Sequence, residues 1–140
     1  MSAQAGYALS ESFQPEPRQF GPITRTDIVR YQGASGDFHP AHHDDEYARR
    51  YGYPGAFSLG MLCAGYMATF ATDWLGPKNV RRFRVRFLDV TWPGDVLTCS
   101  ARVVRKYCES DEDRVDLEIE CHRQTNALAA RAVATFRLEK

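Results

Sequence analysis

The sequence predicts an α+β domain in which an antiparallel sheet covers one long apolar helix. Residues 56–75, AFSLGMLCAGYMATFATDWL, are apolar or small on every side of a helical projection. Such a helix is typically surrounded by protein. After Pro77 the apolar period changes from 3.6 to 2, which is typical of half-buried strands. A chain of 140 residues has room for one such domain and its core.

A short amphipathic helix is expected after Thr24. Thr24 is followed three residues later by Asp27, which resembles a capping box, and Ile28 then starts an apolar face. Gly33 and Gly36 provide the stop. We therefore expect the helix to end where the stretch GDFHPAHHDDE, residues 36–46, begins.

The stretch 36–46 is expected to contain a turn and then a second helix start. Pro40 disfavours helical geometry at His39, so the chain crosses a turn there. Carboxylates are favourable at a helix N-terminus, and three acidic residues occupy positions 44–46. They predict a short helix that runs through Arg50.

Four strands with alternating patterns follow the long helix. They are RFRVRF, DVLTCSARVV, RVDLEIEC and ALAARAVATFRL, at residues 82–87, 95–104, 114–121 and 127–138. Short connections at 93–95, 109–113 and 125–126 predict an antiparallel meander in chain order. Its apolar face needs a cover, and the long helix is the obvious candidate.

The remaining composition bounds location and partners. Residues 1–20 have neither a basic start nor a continuous apolar stretch, so we expect no secretory signal. We expect a flexible arm over residues 1–19 and one domain over 20–140. The four cysteines lack C-x-x-C spacing, which favours free thiols in a cytoplasmic protein.

Membrane and nucleic-acid partners are not expected. The long apolar stretch contains Asp73 and several small polar residues, which favours a buried helix over a membrane span. Basic and acidic residues both number 18. This balance argues against a nucleic-acid binder that relies on a broad basic surface.

Three stretches resemble motifs of one enzyme family. SGDFHPAHHDDEYAR resembles the hydratase motif of the MaoC-like (R)-specific enoyl-CoA hydratases and (3R)-hydroxyacyl dehydratases, whose usual form is D-x-N-P-x-H followed by an acidic pair. SLGMLCAGY resembles the family's helix start, usually A-H-G-M-L. RFRVRFLDVTWPGDVL is similar to its strand and P-x-x-x-G-D-x-L turn, shortened here. The resemblance implies the hot-dog fold, a sheet wrapped around a long central helix.

The resemblance also implies a set of catalytic residues. Asp37 and His42 would form the catalytic dyad, and the amide of Gly60 would be the oxyanion donor. A neutral imidazole at His42 accepts a proton from water near neutral pH, while Asp37 orients that water and shuttles a proton. Without the resemblance, Asp37 and His42 would more often be a turn-stabilising pair.

Three further residues are candidates for the substrate pocket. His39 stands where the family usually has Asn, and Leu59 stands where it usually has His before the glycine. Ser58 is expected to cap the long helix, with a substrate contact as the alternative.

The implied activity is a hydratase/dehydratase that interconverts a trans-2-enoyl thioester and its (3R)-hydroxy form. It needs no cofactor beyond the coenzyme A or acyl carrier protein that bears the substrate. The family's assembly implies a homodimer, or a heterodimer with another hot-dog subunit. A hot-dog acyl thioesterase and a subunit with little activity alone remain as alternatives.

Two other interpretations of the motifs stay open. A zinc site on Asp37, His39 and His42 is a minor alternative, because no cysteine joins them at a standard spacing, and we expect no metal. The basic residues of the first strand are either a binding stripe for coenzyme A phosphates or an acidic carrier protein, or simply an exposed strand face. These residues are Arg81, Arg82, Arg84 and Arg86.

Overall fold

The computed structural model describes residues 9–139, which form an α+β domain. The helices are α1 (Arg25–Ser35), α2 (Asp45–Arg50) and α3 (Gly60–Leu75), with 3₁₀ turns at Pro40–His42 and Pro77–Asn79. The strands are β1 (Arg18–Phe20), β2 (Val80–Phe87), β3 (Leu97–Glu109), β4 (Glu112–Arg123) and β5 (Leu128–Arg137). The expected fold class is confirmed.

The five strands form one antiparallel sheet in the order β1-β3-β4-β5-β2. Strands β3, β4 and β5 make the expected meander, with a tight turn at Ser110 and Asp111, both at positive φ. The predicted neighbour relation of β2 and β3 is wrong, because β2 lies at the far edge beside β5.

The segment between β2 and β3 crosses the end of the sheet instead of turning back. The amides of Leu88 and Asp89 still bond the carbonyl of Ala129, which lies at the start of β5. Farther along, the carbonyl of Thr91 accepts the amide of Ser58, and Gly94 donates to the segment after β1. Its backbone groups are therefore satisfied by three separate parts of the fold, and a hairpin turn is not needed.

Helix α3 packs on the inner face of the sheet and forms the core with it. Its buried side includes Leu62, Cys63, Met67 and Phe70. The opposing inner residues of β5 are small, with Ala130, Ala132 and Ala134 all buried, so the helix and the strand can approach closely. The helix has an exposed side as well, where Met61 is 58% exposed, so the expectation of protein on every side is wrong.

The predicted start of the long helix is also wrong by four residues. Residues 56–59 lie outside the helix, Leu59 has an extended backbone, and the helix begins at Gly60. The amide of Ser58 bonds the carbonyl of Thr91 at 2.8 Å, which holds this segment out of helical geometry.

The two shorter helices start as predicted. Thr24 and Asp27 form a complete capping box at the start of α1, and Gly36 ends that helix in the left-handed conformation with φ 74°. The expected stop at Gly33 is wrong, because Gly33 lies inside the helix. Asp44 caps α2 through a 3.0 Å bond from the amide of Tyr47.

The expected flexible arm over residues 1–19 differs from what the structure shows. Residues 1–8 lie outside the described residues. Leu9 is buried, and the backbone around Ser12 and Phe13 bonds both the amide and the carbonyl of Val103. Arg18 then starts β1, so the folded part of the chain begins before residue 20.

The structure also bears on the expected absence of a membrane span and on the expected free thiols. Within residues 9–139, no helix has the length and apolar content needed to cross a lipid bilayer. All four cysteines are free, and the Sγ atoms of Cys63 and Cys121 lie 3.5 Å apart in the core.

Candidate functional site

The loop from Gly36 to His43 is held by its own backbone and side chains. The carboxylate of Asp37 accepts the amide of His39 at 3.2 Å, and Nδ1 of His39 accepts the amide of Ala41 at 3.2 Å. His39 thereby caps the 3₁₀ turn, a role in which Asn is commonly found because both side chains can accept a backbone amide two residues on.

Gln32 of α1 is a buried residue that sequence reasoning missed. Its Nε2 donates to the carbonyl of Asp37 at 3.0 Å and to that of His39 at 3.4 Å, while its Oε1 accepts from Nδ1 of His43 at 3.1 Å. Three bonds to one buried amide fix the loop relative to the helix. A polar residue on a predicted amphipathic helix gives no signal of such a role.

His42 is fixed in one tautomer. Its Nδ1 lies 2.8 Å from the carbonyl oxygen of Phe57, and the two rings meet edge to face with centroids 5.0 Å apart. A carbonyl oxygen only accepts, so Nδ1 carries the proton and a neutral ring keeps its lone pair on Nε2. The geometry leaves a basic nitrogen on the half-buried ring.

Asp37 does not bond His42 directly. The carboxylate is exposed, and its bond within the described part of the chain is to the amide of His39. Asp37 and His42 therefore lie on the same loop, five residues apart, without a hydrogen bond between them in the described structure. Any joint action on a water molecule would have to pass through that water.

The start of α3 differs from the prediction at Ser58 and Leu59. Leu59 is the N-cap residue and makes no side-chain cap bond, so the expected Ser58 cap is wrong. Leu59 is buried in the core rather than facing a pocket. Ser58 is also buried, and its Oγ has no hydrogen-bond partner among residues 9–139.

Gly60 is the first residue of α3, and its amide has no acceptor within the helix. The helix dipole adds partial positive charge at this end. A Cβ placed on Gly60 would lie 3.2 Å from Cδ1 of Phe87, so the ring of Phe87 occupies the space beside the glycine. A side chain at this position would require the ring of Phe87, which is 47% exposed, to shift by a few tenths of an ångström.

An apolar groove of about 350 Å³ runs between α3 and β2, beside Gly60. Met61, Ala64, Gly65 and Ala68 line one wall, and inner residues of β2 line the other. Tyr31 of α1 closes part of it. Because three residues of the α3 wall are small, the groove is suited to an aliphatic chain.

Asp45 ties α2 to the segment that leads into α3. Its Oδ1 accepts the amide of Ala56 at 2.8 Å, and Arg25 donates to both carboxylate oxygens. The bond from the Ala56 amide, followed by that from Arg25, holds the pKa of Asp45 below its usual value. Asp45 therefore stays ionised and fixes the segment that carries Phe57.

Asp95 fixes the segment between β2 and β3, residues 88–96. Burial alone would raise the pKa of this carboxyl, but bonds from Arg123, Gln124 and the amide of Trp92 outweigh that effect and lower it. Since Thr91 of the same segment holds the amide of Ser58, the buried Asp95 supports the start of α3 indirectly.

The described residues contain no group of three or more His, Cys, Asp and Glu side chains placed to hold a metal ion. The rings of His39 and His42 lie 5.9 Å apart, and each Nδ1 is engaged in a bond to the backbone. His43 is exposed and bonds Gln32.

Comparison with known proteins gives a consistent set of relatives. A family model described as a MaoC like domain matches residues 10–126. A search of curated protein sequences gives no match. The family match covers most of the chain and includes the loop at Asp37 and His42 and the start of α3.

Solved structures match over nearly the whole chain. The (R)-hydratase from A. caviae involved in PHA biosynthesis superposes with a TM-score of 0.83 at 20% identity, covering 96% of this chain and 100% of that one. R-hydratase PhaJ1 from Pseudomonas aeruginosa gives 0.82 at 22% identity, covering 94% and 83%. A chain of the ChsH1-ChsH2 complex from Mycobacterium tuberculosis gives 0.80 at 18% identity, covering 93% and 98%.

These neighbours have the hot-dog fold, as expected from the sequence. Identities below a quarter carry the fold and not the activity. Together with the family match over residues 10–126, they establish that the chain belongs to the MaoC-like dehydratase family.

Proposed function

We propose that the protein is a hydratase/dehydratase that interconverts a trans-2-enoyl thioester and its (3R)-hydroxyacyl thioester. In the hydration direction, the oxygen of water forms a bond to C3, a proton is added at C2, and the double bond becomes single. Negative charge grows on the thioester oxygen during the step and needs a donor that is already in place.

The observation that carries the proposal is the bond between His42 Nδ1 and the carbonyl of Phe57. It leaves Nε2 as the base that removes a proton from water. The same carbonyl belongs to the segment that leads into α3, so the base and the helix start are tied together. The first amide of α3, at Gly60, is then the natural oxyanion donor.

Asp37 is proposed to orient the same water and to relay to C2 the proton that His42 removes from that water. Its exposure in the isolated chain and its separate bond to His39 mean that the water must bridge Asp37 and His42. With capping excluded, the unpartnered Oγ of Ser58 supports a substrate contact at this residue. His39 is assigned the turn cap, and Leu59 is assigned to the core.

The acyl group of the substrate is proposed to lie in the apolar groove between α3 and β2. Coenzyme A or an acyl carrier protein carries the thioester, and no other cofactor is required. A cytoplasmic location, expected from the free thiols, remains a prediction of the same proposal.

Crotonyl-CoA tests the activity. The proposal expects loss of the conjugated enoyl absorbance without release of free thiol. Release of free thiol as the main product would show a thioesterase instead. Asp37→Asn should abolish turnover with an unchanged melting temperature, and His122→Gln serves as a control because that ring lies on β4, outside the site.

A second candidate is a subunit of a heteromeric dehydratase with little activity alone. The similarity to a chain of the ChsH1-ChsH2 complex favours keeping it. Turnover of crotonyl-CoA by the purified chain alone, lost in Asp37→Asn, would exclude it. Turnover that appears only after a second hot-dog subunit is added would establish it.

A further inference from the structure

His39 caps the turn that carries the proposed base, and it does so through a ring nitrogen that solvent protons can reach. Pro40 has no amide hydrogen, so the amide of Ala41 is the first backbone donor of the 3₁₀ turn. That amide donates to Nδ1 of His39 at 3.2 Å, its one acceptor within residues 9–139. Ala41 is buried, so loss of the bond would leave a buried donor unsatisfied.

The bond exists only while the His39 ring is neutral. A neutral imidazole with its lone pair on Nδ1 carries its proton on Nε2, whereas an imidazolium has two N–H donors and no acceptor. Protonation of His39 therefore places a donor opposite the N–H of Ala41. The ring is exposed, so solvent protons have access to it. Asn, which is usual at this position in the family, would accept the same amide without taking up a proton.

Ala41 connects this cap to His42 through the segment that precedes α3. Its carbonyl accepts the amide of Phe57 at 3.1 Å, and the carbonyl of Phe57 accepts Nδ1 of His42 at 2.8 Å. One backbone group of Ala41 thus bonds the cap, and the other bonds the residue that fixes the base. Loss of the cap loosens the residue that holds Phe57 beside His42.

The neighbours of His39 within its own loop do not replace the cap. The ring of His42 lies 5.9 Å away between centroids, and its Nδ1 is a donor to the backbone. The carboxylate of Asp37 accepts the amide of His39 at 3.2 Å. Neither group bonds the amide of Ala41 in the described part of the chain.

The helices packed against the loop add no group that changes charge near neutral pH. From α2, the ring of Tyr47 meets the His39 ring edge to face at 5.6 Å. A side-chain bond with Tyr51 raises the pKa of Tyr47, so this phenol stays neutral. From α1, the uncharged Gln32 donates to the carbonyl of His39 at 3.4 Å. The cap therefore depends on the protonation state of His39 itself.

We propose that His39 is a positioning residue for His42 and that it holds the turn only as a neutral imidazole. Its protonation releases the turn and lowers the rate, in addition to the loss that follows when His42 itself takes up a proton. The inference rests on the proposed role of His42 as the base. It assigns to His39 a dependence on protons that Asn at the same position would lack.

Nuclear magnetic resonance tests the cap without substrate. In the nitrogen-15-labelled chain, the ring nitrogens of His39 report its tautomer and charge, and hydrogen exchange of the Ala41 amide reports the bond. An imidazole ordinarily changes charge between about pH 8 and pH 5, so the measurement covers that range. Corrected for intrinsic exchange, protection of the Ala41 amide should fall about fivefold in the wild type, the factor that a typical lost cap represents. In His39→Asn it should stay constant.

The pH dependence of crotonyl-CoA hydration tests the effect on the base. In the wild type both imidazoles must be neutral, so kcat/KM should fall more steeply on the acid side than in His39→Asn. Near pH 8 the Asn variant should restore a rate that His39→Ala loses by about fivefold, because Ala has no acceptor for the amide. His122→Gln, on β4 outside the site, is the control and should keep the wild-type profile.

Two results overturn the proposal. One is an Ala41 amide that keeps its protection after the His39 ring is seen to be charged, which would show that the turn does not need the bond. The other is an acid limb in His39→Asn as steep as that of the wild type, which would show that His39 does not act on the base. Absence of hydration at every pH would instead contradict the proposed function, and the exchange measurement would still decide whether His39 is a proton-dependent cap.

Discussion

Nδ1 of His42 donates to the carbonyl oxygen of Phe57 across 2.8 Å, and this bond joins the loop of the proposed base to the start of α3. The carbonyl fixes the ring and selects the tautomer at the same time. A base positioned by the backbone needs no acidic side chain to orient it, which leaves Asp37 free for the water-orienting role proposed for it.

Replacing His42 by Gln is expected to remove the base while keeping a group that can donate to the Phe57 carbonyl. General-base catalysis contributes about 10²- to 10⁴-fold, so kcat for crotonyl-CoA hydration should fall by about that factor. The melting temperature should change little. Single-turnover absorbance measurements check this, and wild-type rates in the variant would rule out His42 as the base.

Ser58→Ala separates a structural hydroxyl from one that serves the substrate. Since the buried Oγ has no partner, its removal should leave the free energy of unfolding unchanged or raise it by up to about 1 kcal/mol. If the hydroxyl contacts the substrate, kcat/KM should fall by up to about tenfold, the loss expected for one ordinary hydrogen bond. Denaturant unfolding and steady-state kinetics measure the two effects, and a less stable but fully active variant would contradict both expectations.

Gln32→Leu tests the tether of the catalytic loop. The change leaves the carbonyls of Asp37 and His39 without a buried donor, so we expect a loss of about 2 kcal/mol in unfolding free energy. Because the loop carries the proposed dyad, kcat should fall as well. Arg30→Gln, on the exposed side of the same helix, is the control. If Gln32→Leu were as stable and as active as the wild type, Gln32 would not be the residue that holds the loop.

Asp95→Asn is expected to make stability less dependent on pH. The folded-state pKa of Asp95 lies below its unfolded value, so its ionised form stabilises the fold at pH values above about 4, and this stability is lost as the pH falls through the folded pKa. At pH 7 the variant should lose about 2 kcal/mol, because Arg123 loses its buried partner.

The deficit of Asp95→Asn should shrink toward zero as the pH falls through the folded-state pKa of Asp95. Asp89→Asn is the matched control, since Asp89 is an exposed partner of the same guanidinium at 3.4 Å. Thermal melts from pH 7 to pH 2 measure the difference. A deficit that stays constant with pH would show that the charge of Asp95 is not what stabilises the segment.

The sequence predicted helix starts and stops best where a single side chain or glycine determines them. The capping box at Thr24 and Asp27, the helix start at residues 44–46 and the stop at Gly36 all formed as expected. Each depends on groups within four residues, so the partner that decides the outcome is present in the local sequence.

The errors arose where a distant partner decides the outcome. Ser58 has the right side chain for a cap, but its amide is taken by Thr91, some thirty residues on, and the helix starts later. The short β1 has too few residues for a period. The position of β2 depends on its pairing with β5, which a short connection to β3 does not reveal.

That pairing has a consequence for the order in which the chain folds. Strand β2 follows α3 directly, yet it pairs Val80 with Phe136 and Phe87 with Ala130, so every ladder contact it makes spans several tens of residues. Closing so long a loop costs entropy before any bond repays it, whereas the hairpin of β3 and β4 can form from neighbours alone. We therefore expect β3 and β4 to nucleate the sheet and β2 to be added last. Until then its arginines are the charges that keep an apolar, unpaired strand in water.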